Sequence, residues 1–460
     1  MGGKGPFWAA AGVYLGPGEW ASNCRRWGGT MQKLALFLAL ALLAGPALAG
    51  EVDITVGPGG QYQHLSDAVA VANADPNPSN TYVINLAPGV YLNDFSDPIV
   101  RPMVIQTDPS IAQTGAVLQA TVPLPNAKAI LLTFASLTVR GIEFTGAYID
   151  DSLGGNGAAI RDQNPEGTLA ALVVENSVIY DNQAGILQGN DSAETVMIVN
   201  SQFINNGNPD ICCFTHGVYI DEAASLTVTG SLFCGQLIGH EVKSRAAQTT
   251  VMGSQIYSGE GAPADSGCRI GNASFDIEIA NGGVAVIRGN QLVQGPSAQN
   301  HKIVSYGAEG VNFTTNSLIV ANNTFTSTAN SIAISDPPCV PVQLAGNAFS
   351  GTSEIVDPPS CVAPGGGASP PPPPLSPDGS IISAGAGSLQ TTDGTWTFGP
   401  AAANRPGEWE IFLNGYWAAS GISAELEVAN GGQMYAETAS GNWYIWQNGG
   451  WAVTANPNPQ

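Results

Sequence analysis

Basic residues are what this chain has least of. Lysine and arginine number 14 against 36 acidic residues in 460, a formal net charge of −22 at pH 7. Nucleic-acid affinity is built largely on cations facing phosphates, so this balance argues against a nucleic-acid partner. Charge of either sign is sparse, at 11%, yet apolar alternation is sustained, which sets the chain apart from disordered sequences of similar polarity. No CxxC pair occurs, so the spacing that most often announces zinc is missing. Long apolar runs are missing as well. The one candidate, Leu34 to Leu43, is too short to span a bilayer.

That short run has another reading. Met31-Gln32-Lys33 precedes it as a positive segment and Ala47-Leu48-Ala49 follows as a small-residue cleavage site, the order of a secretory signal. Residues before Met31 have no such logic and fit an upstream start codon. The mature chain is expected to begin near Gly50 and to be secreted, periplasmic or displayed at the cell surface, with no membrane anchor after signal removal.

What is present in quantity is a repeated phrase. Leu226-Thr-Val-Thr-Gly-Ser-Leu-Phe233, Thr249-Thr-Val-Met-Gly-Ser-Gln-Ile256 and Ala285-Val-Ile-Arg-Gly-Asn-Gln-Leu292 are variants of one another. Their small polar anchor pair returns as Asn176-Ser177, Asn200-Ser201, Gly230-Ser231, Gly253-Ser254, Gly289-Asn290, Asn322-Asn323 and Gly346-Asn347. The shortest steps are 23 to 24 residues and the longest is 36. A fixed short period with occasional surplus is a solenoid coil with loops inserted on one face. Alternating, β-branched apolar residues make the coils strands, and Asn or Gly at the anchor permits a positive-φ corner. The expectation is an all-β, right-handed parallel β-helix with an asparagine ladder at its corner.

Leu65, Ala68, Val69 and Ala72 fall at i, i+3, i+4, i+7 and predict a short amphipathic helix capping the open end of the core. Six cysteines follow the signal, an even number that favours disulfides in an exported protein. Cys339 and Cys361 lie 22 residues apart, about one coil, and neighbouring coils roughly 4.8 Å apart are within disulfide reach. Cys212 or Cys213 to Cys234 is also about one coil, while the remaining pairing stays open.

The cap helix, the phrase Ile84-Asn-Leu-Ala-Pro-Gly-Val-Tyr91 and the anchored coils resemble the pectin-lyase-like superfamily of secreted β-helices. The resemblance covers roughly residues 51–362 and implies fold rather than reaction. The paired aspartates of polygalacturonases, the tryptophan-aspartate-histidine signature of pectate lyases and the Asp-Pro-His pattern of mannuronan epimerases are all absent. The expected organisation is an extension and signal over 1–49, a β-helix over 50–362, a Pro/Gly-rich linker over 363–377 and a small antiparallel β module over 378–460. That module holds six tryptophans, from Trp396 to Trp451. Some are expected to fill its small core, with Trp443, Tyr444 and Trp446 as sugar-stacking candidates.

Function on a β-helix must sit on outward residues of stacked strands. If Val218, Ile220, Val242, Ile277 and Ile279 point inward, then Tyr219, Asp221, Glu241, Lys243, Asp276 and Glu278 point outward. Tyr219, Lys243 and Glu278 then form one row with Arg245 at its edge. Lys243, Arg245, Arg269, Arg288 and Lys302 fall within 60 residues, which predicts a basic patch suited to an acidic polysaccharide. The matching chemistry is β-elimination or C5 epimerisation of a uronate. In that scheme Lys243 is the base, Tyr219 the acid, and Arg245 with Arg269 neutralises the carboxylate; His216 and His240 are further bases. Substrate contacts fall to Asp276 and Glu278, and Ca²⁺ is possible at Asp221, Glu222, Asp276 and Glu278. Two rival readings compete. One is a non-catalytic surface, adhesion or carbohydrate-binding rod, in which the row is an ordinary ion-pair ladder. The other is a glycoside hydrolase using Asp276, Glu278 and a third acid. A monomer is expected.

Overall fold

Corners, rather than strands, explain the architecture. The first residue of each anchor pair adopts positive φ, with Asn176, Asn200 and Asn322 at 51°, 49° and 56° and Gly230, Gly253 and Gly289 at 58°, 57° and 65°. The second residue then stacks coil upon coil. Ser177, Ser201 and Ser231 each donate a backbone N–H to the next coil's serine hydroxyl, at 3.1–3.2 Å. Ser254, Asn290 and Asn323 donate likewise to asparagine carbonyls at 2.9 Å. The ladder is therefore half serine and half asparagine, each side chain satisfying a buried amide that the bend would otherwise orphan.

In this computed structural model the described residues are 50–108, 115–211, 214–264, 266–363, 375–383, 387–391, 394–402, 405–413, 416–447 and 450–457. The signal, Cys212, Cys213 and most of the linker lie outside them. Three parallel sheets run along the coils: eleven-stranded sheet A (Glu51–Val56 through Val342–Ala345), ten-stranded sheet B (Gly89–Leu92 through Ala348–Ser350) and nine-stranded sheet C (Ala129–Thr133 through Glu354–Asp357). Each strand pairs in parallel with its counterpart one coil along, as Leu226 does with Thr249, Phe233 with Ile256 and Val218 with Val242. This is a parallel β-helix.

Its interior is apolar. Val196, Ile198, Leu226, Val228, Ile277 and Ile279 are wholly buried, and burying each such side chain stabilises by about 1.5–3 kcal/mol. Phe203 stacks on Phe233 at 4.7 Å between centroids. The helix Leu65–Ala74 closes one end with all four stripe residues at 0% exposure. Its free N-terminal amides are taken by Asp94, whose carboxylate accepts from Leu65 at 2.6 Å and Ser66 at 3.1 Å.

Cys339 is bonded to Cys361, as the coil spacing predicts. Cys234, however, is bonded to Cys268 rather than to Cys212 or Cys213. The surplus residues of the long coils do not all leave by one face. They include 205–211, 214–217, 259–264 and 266–276 between sheets B and C, and 307–316 between sheets C and A, so inserted chain flanks sheet C on both sides.

The C-terminal module is antiparallel, a five-stranded sheet and a four-stranded sheet around Trp396, which is fully buried. Trp446 and Trp451 meet its ring edge-on at 5.1 and 5.6 Å, and its indole N–H donates to Thr391 at 2.8 Å.

Candidate functional site

Sheet C carries a connected group of charged side chains. Register aligns Tyr219 with Lys243 and Lys243 with Glu278 across the strands Val218–Glu222, Val242–Ser244 and Ile277–Ile279. Their apolar neighbours Val218, Ile220, Val242, Ile277 and Ile279 all face the core. Alternation alone produces this row.

Every charge in it is answered. The Lys243 ammonium lies 3.0 Å from Glu278 and 2.7 Å from Glu309. Arg245 donates to the other oxygen of Glu309 through Nε at 2.8 Å and Nη2 at 2.7 Å. It also reaches Asp221 and the Tyr219 hydroxyl. Tyr219 in turn donates to Asp221 at 2.5 Å. His240 Nε2 sits 3.0 Å from Glu278. Burial alone would raise the Glu278 carboxyl, but the hydrogen bonds and charges of His240 and Lys243 outweigh it and hold the group at about 2. Burial, with Asp221 beside it, pushes the Tyr219 phenol up.

The two histidines lie two residues before the strands Val218–Glu222 and Val242–Ser244 and turn toward this row rather than into the core. His216 stacks on His240 at 4.9 Å and lies 5.3 Å from the Tyr219 ring. His216 Nδ1 accepts the His240 amide at 3.1 Å, and burial, reinforced by the neighbouring His240, Lys243 and Arg245, drives its protonation well below the usual range. His216 is thus a neutral, positioned ring with only 3% exposure, closed to a substrate in this arrangement.

Several expected members are elsewhere. Asp276 and Glu241 are not outward: they are 0% and 1% exposed, and burial raises both carboxyls well above their ordinary values. Each precedes its strand by one residue, so alternation does not govern it and the corner folds it in. Arg269 lies beside sheet B, 3.0 Å from Asp181, because the Cys234–Cys268 bond ties its loop there. Arg288 ends a sheet A strand, and Lys302 begins the sheet C strand after that of Glu278. The expected basic patch therefore reduces to Lys243 and Arg245, and with Asp221, Glu278 and Glu309 around them the local charge is not positive. The four carboxylates considered for calcium do not converge, and among the described residues no group of three His, Cys, Asp or Glu side chains is arranged to hold a metal ion.

Glu309 escaped the sequence reading. It lies 66 residues from Lys243 in the insertion after the strand Lys302–Tyr306, and the only sign of it was the length of that coil. In the module, strand Trp443–Gln447 separates the three aromatic candidates: Trp446 is a core residue at 7% exposure. Tyr444 shares its face and lines a small cavity with Arg405 and Trp451, while Trp443 faces the other way.

No family model matches the sequence, and no curated protein matches it. A crystal structure of pectate lyase Pel9A is similar with a TM-score of 0.36 and 13% identity, over 65% of this chain and 77% of that one. At that level the likeness adds nothing beyond the β-helix already evident from the three parallel sheets.

Proposed function

We propose that the protein is an exported, polysaccharide-active β-helix that recognises a uronate carboxylate at sheet C. One observation carries this reading: Lys243 and Arg245 jointly grip a single carboxylate, that of Glu309, whose side chain is 36% exposed at the rim. A sugar carboxylate has the same charge, planarity and acceptor geometry. Exchanging it for Glu309 costs little net electrostatic energy.

The reaction assigned to the site is β-elimination or C5 epimerisation. Pairing the sugar carboxylate with Arg245 makes C5–H more acidic. Lys243 gives up one ammonium proton to solvent as the sugar displaces Glu309, leaving Arg245 to hold the sugar carboxylate; the amine then takes the C5 proton, and the C5 electron pair either forms the C4–C5 double bond as the C4–O bond breaks, or is reprotonated from the other face. Tyr219 is the acid in both cases, recharged through Asp221. Arg269 and Asp276 drop out of the scheme, as does the hydrolase reading, because Asp276 is buried and Glu278 is locked in ion pairs.

The saturation of the network favours a second reading, a non-catalytic polysaccharide-binding rod. Incubation with polygalacturonate, alginate and glycosaminoglycans separates the two. Ultraviolet absorbance of unsaturated uronates reads elimination, and deuterium uptake at C5 from heavy water reads epimerisation. Loss of either signal in Lys243→Ala, with the circular dichroism unchanged, is the expected result. A fully active variant removes Lys243 from the mechanism. Release of reducing ends alone would restore a hydrolase, and silence throughout leaves the rod.

A further inference from the structure

A second cavity lies away from sheet C. It is a trough of about 660 Å³ between the corner joining sheets A and B and the C-terminal module, within the range of small-molecule sites. Its floor is the corner itself in successive coils, with Gly230, Gly253 and Gly289 flanked by Asn200 and Asn322. All five share the same positive-φ bend, which asparagine and glycine both accept. Glycine in three successive coils therefore leaves the floor bare where asparagine would serve the backbone as well. A Cβ built on Gly253 would meet nothing within 4 Å.

The walls have a consistent chemistry. Gln255 and Arg288 rise from the coils, and Gln433, Gln447, Trp446 and Leu413 face them from the module. Although the chain carries 36 acidic residues, none of the described residues lining this space is an aspartate or glutamate. Carboxamides offer donors and an acceptor in one plane, matching hydroxyls that do both. Met252 adds a half-buried apolar side chain to the floor, while Leu413 and Trp446, core residues at 3% and 7% exposure, back the opposite wall. Met252 also packs against the module's core, so the trough's width is set by direct contact. Its five coils are separated by four steps of roughly 4.8 Å, which make it about 20 Å long.

We infer that this trough binds a linear oligosaccharide, the module acting as a clamp that holds the polymer along the A–B corner. The inference rests on the polysaccharide reading but not on the sheet C chemistry. The test is calorimetric titration of the full chain with tetragalacturonate and with cellotetraose. Four proteins are compared: the natural chain, Lys243→Ala, and, each made in the Lys243→Ala background so that sheet C does not contribute, the double variant Asn322→Gly/Gln447→Ala and Gln255→Trp. Glycine keeps the bend at 322, and Gln255 is exposed, so neither change threatens the fold. At least one probe is expected to bind Lys243→Ala with unchanged affinity. The same probe should bind the double variant about tenfold more weakly, two lost amide contacts being worth on the order of that factor, and should not bind Gln255→Trp. Binding that survives in Gln255→Trp, or that vanishes in Lys243→Ala, overturns the trough. Uronate chemistry on polymer with no trough binding of either probe also overturns it while sparing sheet C. Trough binding with no chemistry does the reverse.

Discussion

Replacing Glu278 by glutamine should loosen sheet C locally in a way that depends on pH. The carboxyl has an ordinary value of 4.5 and is held at about 2 in the fold. An acid whose protonation is depressed by folding contributes stability that is complete above its unfolded value and fades as pH falls through its folded one. The window is therefore about 4.5 down to about 2. Each unit is worth about 1.4 kcal/mol, so the contribution at neutral pH is about 3 kcal/mol as an upper bound. At 4% exposure the side chain is little screened by solvent. Glu278→Gln also leaves Lys243 with Glu309 alone and His240 without its anion. Because each coil contacts only its neighbours, the loss should appear as local opening rather than global unfolding. Hydrogen–deuterium exchange, corrected for intrinsic rate, would read it in the strands Val242–Ser244 and Ile277–Ile279. Protection there should fall by about a hundredfold at pH 7 and converge with the natural protein near pH 2. Equal protection at pH 7, or a deficit that persists undiminished at the lowest pH, would refute the account of this ion pair.

Other perturbations follow from the same geometry. Glu309→Gln withdraws the internal competitor for Lys243 and Arg245, so affinity for acidic polymer should rise several-fold at low salt and the gain should shrink as salt is added; weaker binding would mean that Glu309 contacts substrate itself. Asp162 is buried, and that burial, with Glu194 and Asp191 beside it, raises its carboxyl from 3.8 to about 9. Such a group costs stability as pH climbs above its unfolded value, so Asp162→Asn should stabilise the protein at pH 7 and have no such effect below pH 4, as read by thermal melting. Cys361→Ser opens a 22-residue loop, which should cost about 3 kcal/mol and expose the last coil to protease first; unchanged proteolysis would show that packing alone closes that end.

What the linear chain determined is what repeats within one coil. Asn176, Asn200, Gly230 and their successors dictate where the backbone turns, and alternation between those turns decides that Tyr219, Lys243 and Glu278 share a row. The stripe of Leu65, Ala68, Val69 and Ala72 marks the cap for the same reason: its period is shorter than the element it builds. The tertiary structure decided whatever depends on the path of inserted chain or on a residue just outside a strand. Glu309 arrives at Lys243 only because a long turn folds back across two coils. Arg269 is carried off by a disulfide, and Asp276 and Glu241 are folded into a corner where alternation has no hold. Trp446 belongs to the module's core because the opposing sheet covers it, and the trough exists only where that module meets the glycine corners. Local geometry is written in neighbouring residues, whereas contacts closed over thirty or more positions depend on how whole coils stack.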